Sequence, residues 1–139
     1  MPSFATRRIL SIPDDADVIH LPTTIMWREE SGIVCVISKR TGPQTLEEAE
    51  KSIAAFRHHL GEDKVCMLID VTDTAESSRA VREFAAEELP KLVKAVAMVS
   101  GSVLGKMLAN LFFNLKSQPY PVKMFNDESE ARRWLKNFL

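Results

Sequence analysis

The chain has 139 residues, 45% of them hydrophobic and 27% charged, with a formal net charge of −1. That length fits one domain, large enough to close a single core without disulfide or metal staples. The near-neutral balance argues against a nucleic-acid or membrane-surface protein, because phosphate binding leaves a basic footprint.

The N-terminal stretch MPSFATRRILSIPDDADVIHLP has Arg7 and Arg8 before a short apolar run broken by Pro13, so it reads neither as a signal peptide nor as a membrane span. Residues 1–16 are expected to form a loose or edge-strand arm, and residues 17–139 one domain. No uncharged run reaches the ~18 residues a transmembrane helix needs, and a cytoplasmic protein is expected. Asp14, Asp15 and Asp17 cluster, but without the Gly and distal Glu of a calcium loop.

TTIMWRE and GIVCVIS are β-rich runs joined by a turn in which Gly32 supplies a positive φ, so they read as a hairpin. Thr45 and Glu48 then form a capping box ahead of a helix with Leu46, Ala49, Ile53, Phe56 and Leu60 on one stripe, stopped at Gly61. KVCMLID is apolar almost throughout, which predicts a strand buried on both faces over residues 65–69 with Asp70 at its carboxyl end. A helix carrying Val81, Phe84, Ala85 and Leu89 runs to Pro90.

VKAVAMVS is another buried strand, and Ser102 caps the next helix. On that helix Leu104, Leu108, Leu111 and Leu115 are expected to face the sheet. Gly105, Ala109, Phe112 and Phe113 are left as a candidate interface, with Phe113 near the centre of a possible homodimer. PVKMF is a short strand, and Asp127 with Glu130 opens a last helix seated by Ala131, Trp134 and Leu135. The order is ββαβαβαβα. It predicts a single-domain α/β fold with a mixed, largely parallel sheet of four to five strands and helices packed on it.

Cys35 and Cys66 both lie in apolar runs and read as reduced core thiols. No CxxC or His/Cys spacing suits a metal, and no GxGxxG or P-loop is present, so neither metal nor cofactor is expected. His58 and His59 fall on the last turn of the first helix, where cations suit the dipole. No Ser, Cys or Lys has an evident base beside it.

The stretch VCMLIDVTDTAESSRAVREF holds the one local pattern that asks for chemistry. Ligands of open α/β sheets bind beyond the carboxyl ends of strands, near a switch in strand order, and Asp70 is placed at such an end. Ser77 and Ser78 precede a helix whose free N–H groups favour an anion, and Arg79 adds charge. Ser77, Ser78 and Arg79 form a candidate phosphorylation or anion site, with Asp70, Asp73 and Glu76 as a loop site. A plainer reading has a Ser capping the helix and Asp70 bonding loop N–H groups.

This element order, with Asp70 closing a central strand and Glu76-Ser77-Ser78-Arg79 opening the next helix, resembles the STAS domain of anti-sigma factor antagonists and the wider set of sporulation-antagonist-like bacterial proteins. The resemblance covers residues 22–139 and rests on element order more than on residues. In the antagonists an acid-Ser-Ser/Thr-Gly sequence opens the helix, and its hydroxyl is phosphorylated by a partner kinase. The resemblance puts the acid at Glu76 and the hydroxyls at Ser77 and Ser78; Arg79 stands where the family has Gly. It implies a non-enzymatic regulatory module that binds a protein partner. Lipid-carrying relatives imply the alternative, a carrier of a small apolar ligand, for which the stretch GKMLANLFFNL is suited. An enzyme using Asp70 beside a helix-start anion site is the third reading.

Overall fold

The computed structural model of the protein describes residues 8–113 and 118–139. Ten elements follow one another: β1 (Ile19–His20), β2 (Thr24–Arg28), β3 (Val34–Ser38), α1 (Leu46–Leu60), β4 (Val65–Asp70), α2 (Arg79–Glu88), β5 (Val93–Val99), α3 (Val103–Phe113), β6 (Val122–Phe125) and α4 (Glu128–Leu135). The single-domain α/β architecture matches expectation. The sheet has six strands because the two-residue β1 adds itself to the edge.

Strand order is β1-β2-β3-β4-β5-β6, the order of the sequence. β1, β2 and β3 pair antiparallel, with Gly32 at φ 95° in the hairpin turn. β3 to β6 run parallel. This topology decides where the helices lie. Each parallel step moves the same way across the sheet, and right-handed crossovers then place every connecting helix on one face. The side chains agree: β3, β4 and β5 alternate between two core clusters. Val34, Val36, Met67, Val96 and Met98 meet α1, α2 and the end of α3. Cys35, Leu68, Ala95, Ala97 and Val99 meet α4, which follows the last strand and is free to cover the other side. A sheet that advances in one direction has no switch point, so the crevice expected beside Asp70 does not arise from strand order.

Local signals set the helix ends. Thr45 and Glu48 form the reciprocal capping box of α1, and Gly61 ends it at φ 76°. Ser78 caps α2 through Val81 N–H, and Asp127 caps α4 through Glu130 N–H. Ser102 caps α3 by accepting from Gly105 N–H at 2.9 Å. Arg57 of α1 forms an ion pair with Glu88 of α2.

The expected loose arm needs correction over residues 9 and 10. Leu10 is buried in the α4-side core, and the backbone N–H groups of Ile9 and Leu10 are both bonded to Asp70. Residues 1–7 lie outside the described residues. Among the described residues, no helix is long and apolar enough to cross a membrane.

Candidate functional site

Asp70 ends β4 in the middle of the sheet and is fully buried. Burying a carboxylate is costly unless donors surround it. Oδ2 accepts from Ile9 N–H and, at 2.9 Å, from Leu10 N–H; Oδ1 accepts from Thr72 N–H at 3.0 Å and from the Thr72 hydroxyl. With four donors and no exposure, Asp70 is a structural clamp between the N-terminal arm and the loop after β4. It offers nothing to a ligand.

The other loop residues divide. Asp73 pairs with Arg40 at 3.0 Å. Glu76 is exposed and Ser77 half-buried, and Ser77 makes an isolated β-bridge with Gln44. Arg82 donates to the Ser77 carbonyl. Ser78 is exposed but uses its hydroxyl oxygen as the α2 cap. Arg79 is exposed and ion-pairs with Glu83 at 2.7 Å. Asp70 therefore does not join Ser77, Ser78 and Arg79 in one site.

The face of α3 is the reverse of the expected one. Gly105, Ala109 and Phe113 are buried against the protein's own sheet, and Phe112 is half-buried. The reason is close approach. A Cβ on Gly105 would lie 2.3 Å from the Val71 carbonyl oxygen and 2.8 Å from that of Thr72, so only glycine lets the helix sit there. The Ser102 hydroxyl donates to the Thr72 carbonyl at 2.8 Å and fixes that contact. Gly105, Ala109 and Phe113 are thus no interface with another chain, and Phe113 cannot centre a dimer. The residues expected in the core turn outward: Leu104 is 64% exposed and Leu111 54%, beside Val103 at 74% and Met107 at 62%. Leu108 is half-buried, and Leu115 lies outside the described residues.

That outer face does not stop at α3. Arg79, Arg82 and Glu83 of α2 share a surface groove with Asn110, Leu111 and Phe112 of α3. The start of α2 therefore meets the apolar outer face of α3 at Leu111.

Between the helices and the sheet lie two adjoining, half-open pockets of about 120 and 110 Å³. Their floor includes Val36, Met67 and Ile69, and both reach Phe112 and Phe113. Sequence reading missed Gln44, Thr23 and Thr24, which line both. A signal was present: Ala49, Ser52 and Ala85 put small side chains on the sheet-facing sides of α1 and α2.

The cysteines are free and buried, and burial pushes the Cys35 thiol up to about 12 and raises that of Cys66. Neither is poised as a thiolate nucleophile. Beside Cys35, Arg132 of α4 grips Glu29 with two 2.8 Å bonds and holds its carboxyl below the ordinary range. Among the described residues no three His, Cys, Asp or Glu side chains come together as a metal ion would need.

Comparison with known proteins agrees with this geometry at the level of fold. The chain is similar to an uncharacterised protein of the DUF3478 family with a SpoIIAA-like fold from Shewanella loihica PV-4: TM-score 0.53, 20% identity, covering 90% of this chain and 98% of that one. SpoIIAA-like is the sporulation-antagonist fold that the element order resembles. A protein of unknown function from Arthrobacter sp. FB24 aligns over 80% of this chain and 97% of its own at 25% identity, with a TM-score of 0.30. No curated protein matches the chain. The model of the domain of unknown function DUF7793 matches residues 26–139, and the chain belongs to that family.

Proposed function

We propose that the protein is a non-enzymatic regulatory module that binds a protein partner through the outer face of α3 and the adjoining start of α2. One observation carries this reading: Val103, Leu104, Met107 and Leu111 are all more than half exposed on one side of a single helix. Scattered exposed apolar residues need no explanation, but a contiguous patch marks an interaction surface. The partner is a protein rather than a bilayer. A helix that lies on a membrane carries a basic polar face, whereas Lys106 is the one charged residue of α3. The SpoIIAA-like fold supports the reading as an analogy of architecture.

The Ser77–Arg79 segment adjoins this surface and gives it a means of control. A phosphate on Ser77 or Ser78 would stand at the α2 N-terminus beside Arg79 and Arg82.

The test uses proteins of the native host captured on the immobilised chain. Leu104→Glu with Leu111→Glu should abolish capture of the partner, while Leu46→Glu, at an exposed apolar position on α1, should leave it intact. Equal capture by all three proteins would overturn the reading. Light scattering on the same variants shows whether the partner is a second copy. Ser77→Asp or Ser78→Asp should change the captured partner's affinity if phosphorylation regulates it.

A further inference from the structure

One unbroken run of hydrogen bonds joins residues 9 and 10 to the first turn of α3. It begins at the N–H groups of Ile9 and Leu10, which donate to Asp70 Oδ2. Thr72 takes the other carboxylate oxygen with both its N–H and its hydroxyl. The same hydroxyl oxygen accepts Gly101 N–H at 2.8 Å, and the Thr72 carbonyl accepts the Ser102 hydroxyl at 2.8 Å. Ser102 Oγ then caps α3 through Gly105 N–H at 2.9 Å. Ser100 braces the turn between: its hydroxyl accepts Ser102 N–H at 3.1 Å and donates to the Ser102 carbonyl at 2.8 Å.

Thr72 is the junction of this run, and it is buried. A hydroxyl has one proton to give, and here Asp70 Oδ1 takes it, which leaves the oxygen's lone pairs to accept from Gly101. The hydroxyl is therefore oriented by Asp70, and Asp70 relies on the arm for two of its four donors. A buried carboxylate stripped of two donors must turn or take up water, and either change disturbs its hold on Thr72. The start of α3 has little side-chain packing of its own to resist that change. Val103 and Leu104 are exposed, and Gly105 meets the carbonyl oxygens of Val71 and Thr72 with no side chain to anchor it.

We infer that residues 9 and 10 are a latch on α3: seated on Asp70, they hold the first turn of the helix through the Thr72 hydroxyl, and their release loosens it. Thr72 is the positioning residue of the latch. The regulatory consequence rests on the partner surface proposed above. Val103 and Leu104 of that surface lie on the turn that the latch holds, so a seated arm keeps the surface in its binding form.

Amide hydrogen exchange followed by NMR tests the latch with no partner present. Ile9→Pro, which removes one arm donor, should speed exchange of the Gly101 and Gly105 amides about tenfold relative to that of Ile53 in α1. Ile9→Ala keeps the N–H and should have little effect. Thr72→Val removes the junction, so in that background Ile9→Pro should add nothing at Gly101 or Gly105. Coupling is reciprocal, so Thr72→Val alone should speed exchange at Ile9 and Leu10, and Thr72→Ser, which restores a hydroxyl, should not. The Thr72 pair reads the junction with the arm's own sequence intact. No acceleration at Gly101 and Gly105, acceleration shared equally by Ile53, or an Ile9→Pro effect undiminished in Thr72→Val would each overturn the latch. In the capture experiment, Ile9→Pro should weaken partner binding severalfold. Capture indifferent to Ile9→Pro yet lost with Leu104→Glu and Leu111→Glu would overturn the regulatory role, whereas capture indifferent to those glutamates would overturn the partner surface and not the latch.

Discussion

One face of the sheet is covered by α4 together with the N-terminal arm, and the other by three helices with pockets between them and the strands. The difference lies in where the small side chains sit. On the α4 side they are on the strands and the helix: Cys35, Cys66, Ala95 and Ala97 share a core with Ala131 of α4. On the opposite side the strands carry Val34, Val36, Met67, Val96 and Met98, and the small residues Ala49, Ser52 and Ala85 are on the helices. There bulky strand residues hold the helices off, and the helices do not fill the space. Total apolar content is not what distinguishes the faces; its distribution between sheet and helix is.

Truncation on the closed face should break the comparison most visibly. Leu135 is fully buried there, and Leu135→Ala should cost about 2–5 kcal/mol, read from the midpoint of urea unfolding. Enlargement should discriminate next. Ala97→Leu has no room and should cost about 1–3 kcal/mol, whereas Ala85→Leu grows into a cavity and should stay within ~1 kcal/mol of wild type. Equal losses for the two leucines would erase the distinction between the faces.

The ion pair that ties α4 to the hairpin offers a third comparison. Glu29 is held below the usual carboxylate range, chiefly by its bonds to Arg132. A carboxyl that ionises more readily folded than unfolded adds stability above its unfolded pKa and loses it as pH falls through the folded one. Glu29→Gln should therefore cost about 1–2 kcal/mol at pH 7, and the gap from wild type should shrink as acid protonates Glu29. A gap unchanged from neutral to acid pH would show that the pair contributes shape rather than charge. The smallest effect is expected at Tyr120, on the open side. Among the described residues its hydroxyl is buried without a partner, and burial pushes its pKa up to about 12. Tyr120→Phe should leave stability unchanged or raise it by up to ~1 kcal/mol, measured by thermal unfolding.

Much of the fold could be read locally. Continuous apolar runs marked β4 and β5, Thr45 and the Ser77–Ser78 pair marked helix starts, Gly32 marked a turn and Gly61 a helix end. The face of α3 could not, because periodicity alone favours leucines as the inward stripe. A glycine that must touch a carbonyl outranks four leucines, and the choice turned on the 71–72 backbone, which the helix's own sequence does not describe. Gly105 and Ala109 are spaced for a close approach, and in the fold that approach is to the same chain. The cavities depend on strand order, since only a sheet advancing in one direction puts three helices on one side. Asp70 showed its position but not its task, since its donors at Ile9 and Leu10 are about sixty residues away.

On the arm side the clamp at Asp70 reads main chain and not side chain: two consecutive amides, those of Ile9 and Leu10, satisfy Oδ2, while Thr72 satisfies Oδ1. Leu10 is also held by its buried side chain and Ile9 by partial packing against the same core, but neither side chain takes part in the bonds themselves. Proline is the exception, because it has no hydrogen to give. The two bonds to the arm thus fail for one residue type alone at positions 9 and 10, and they fix the path of the arm through its backbone.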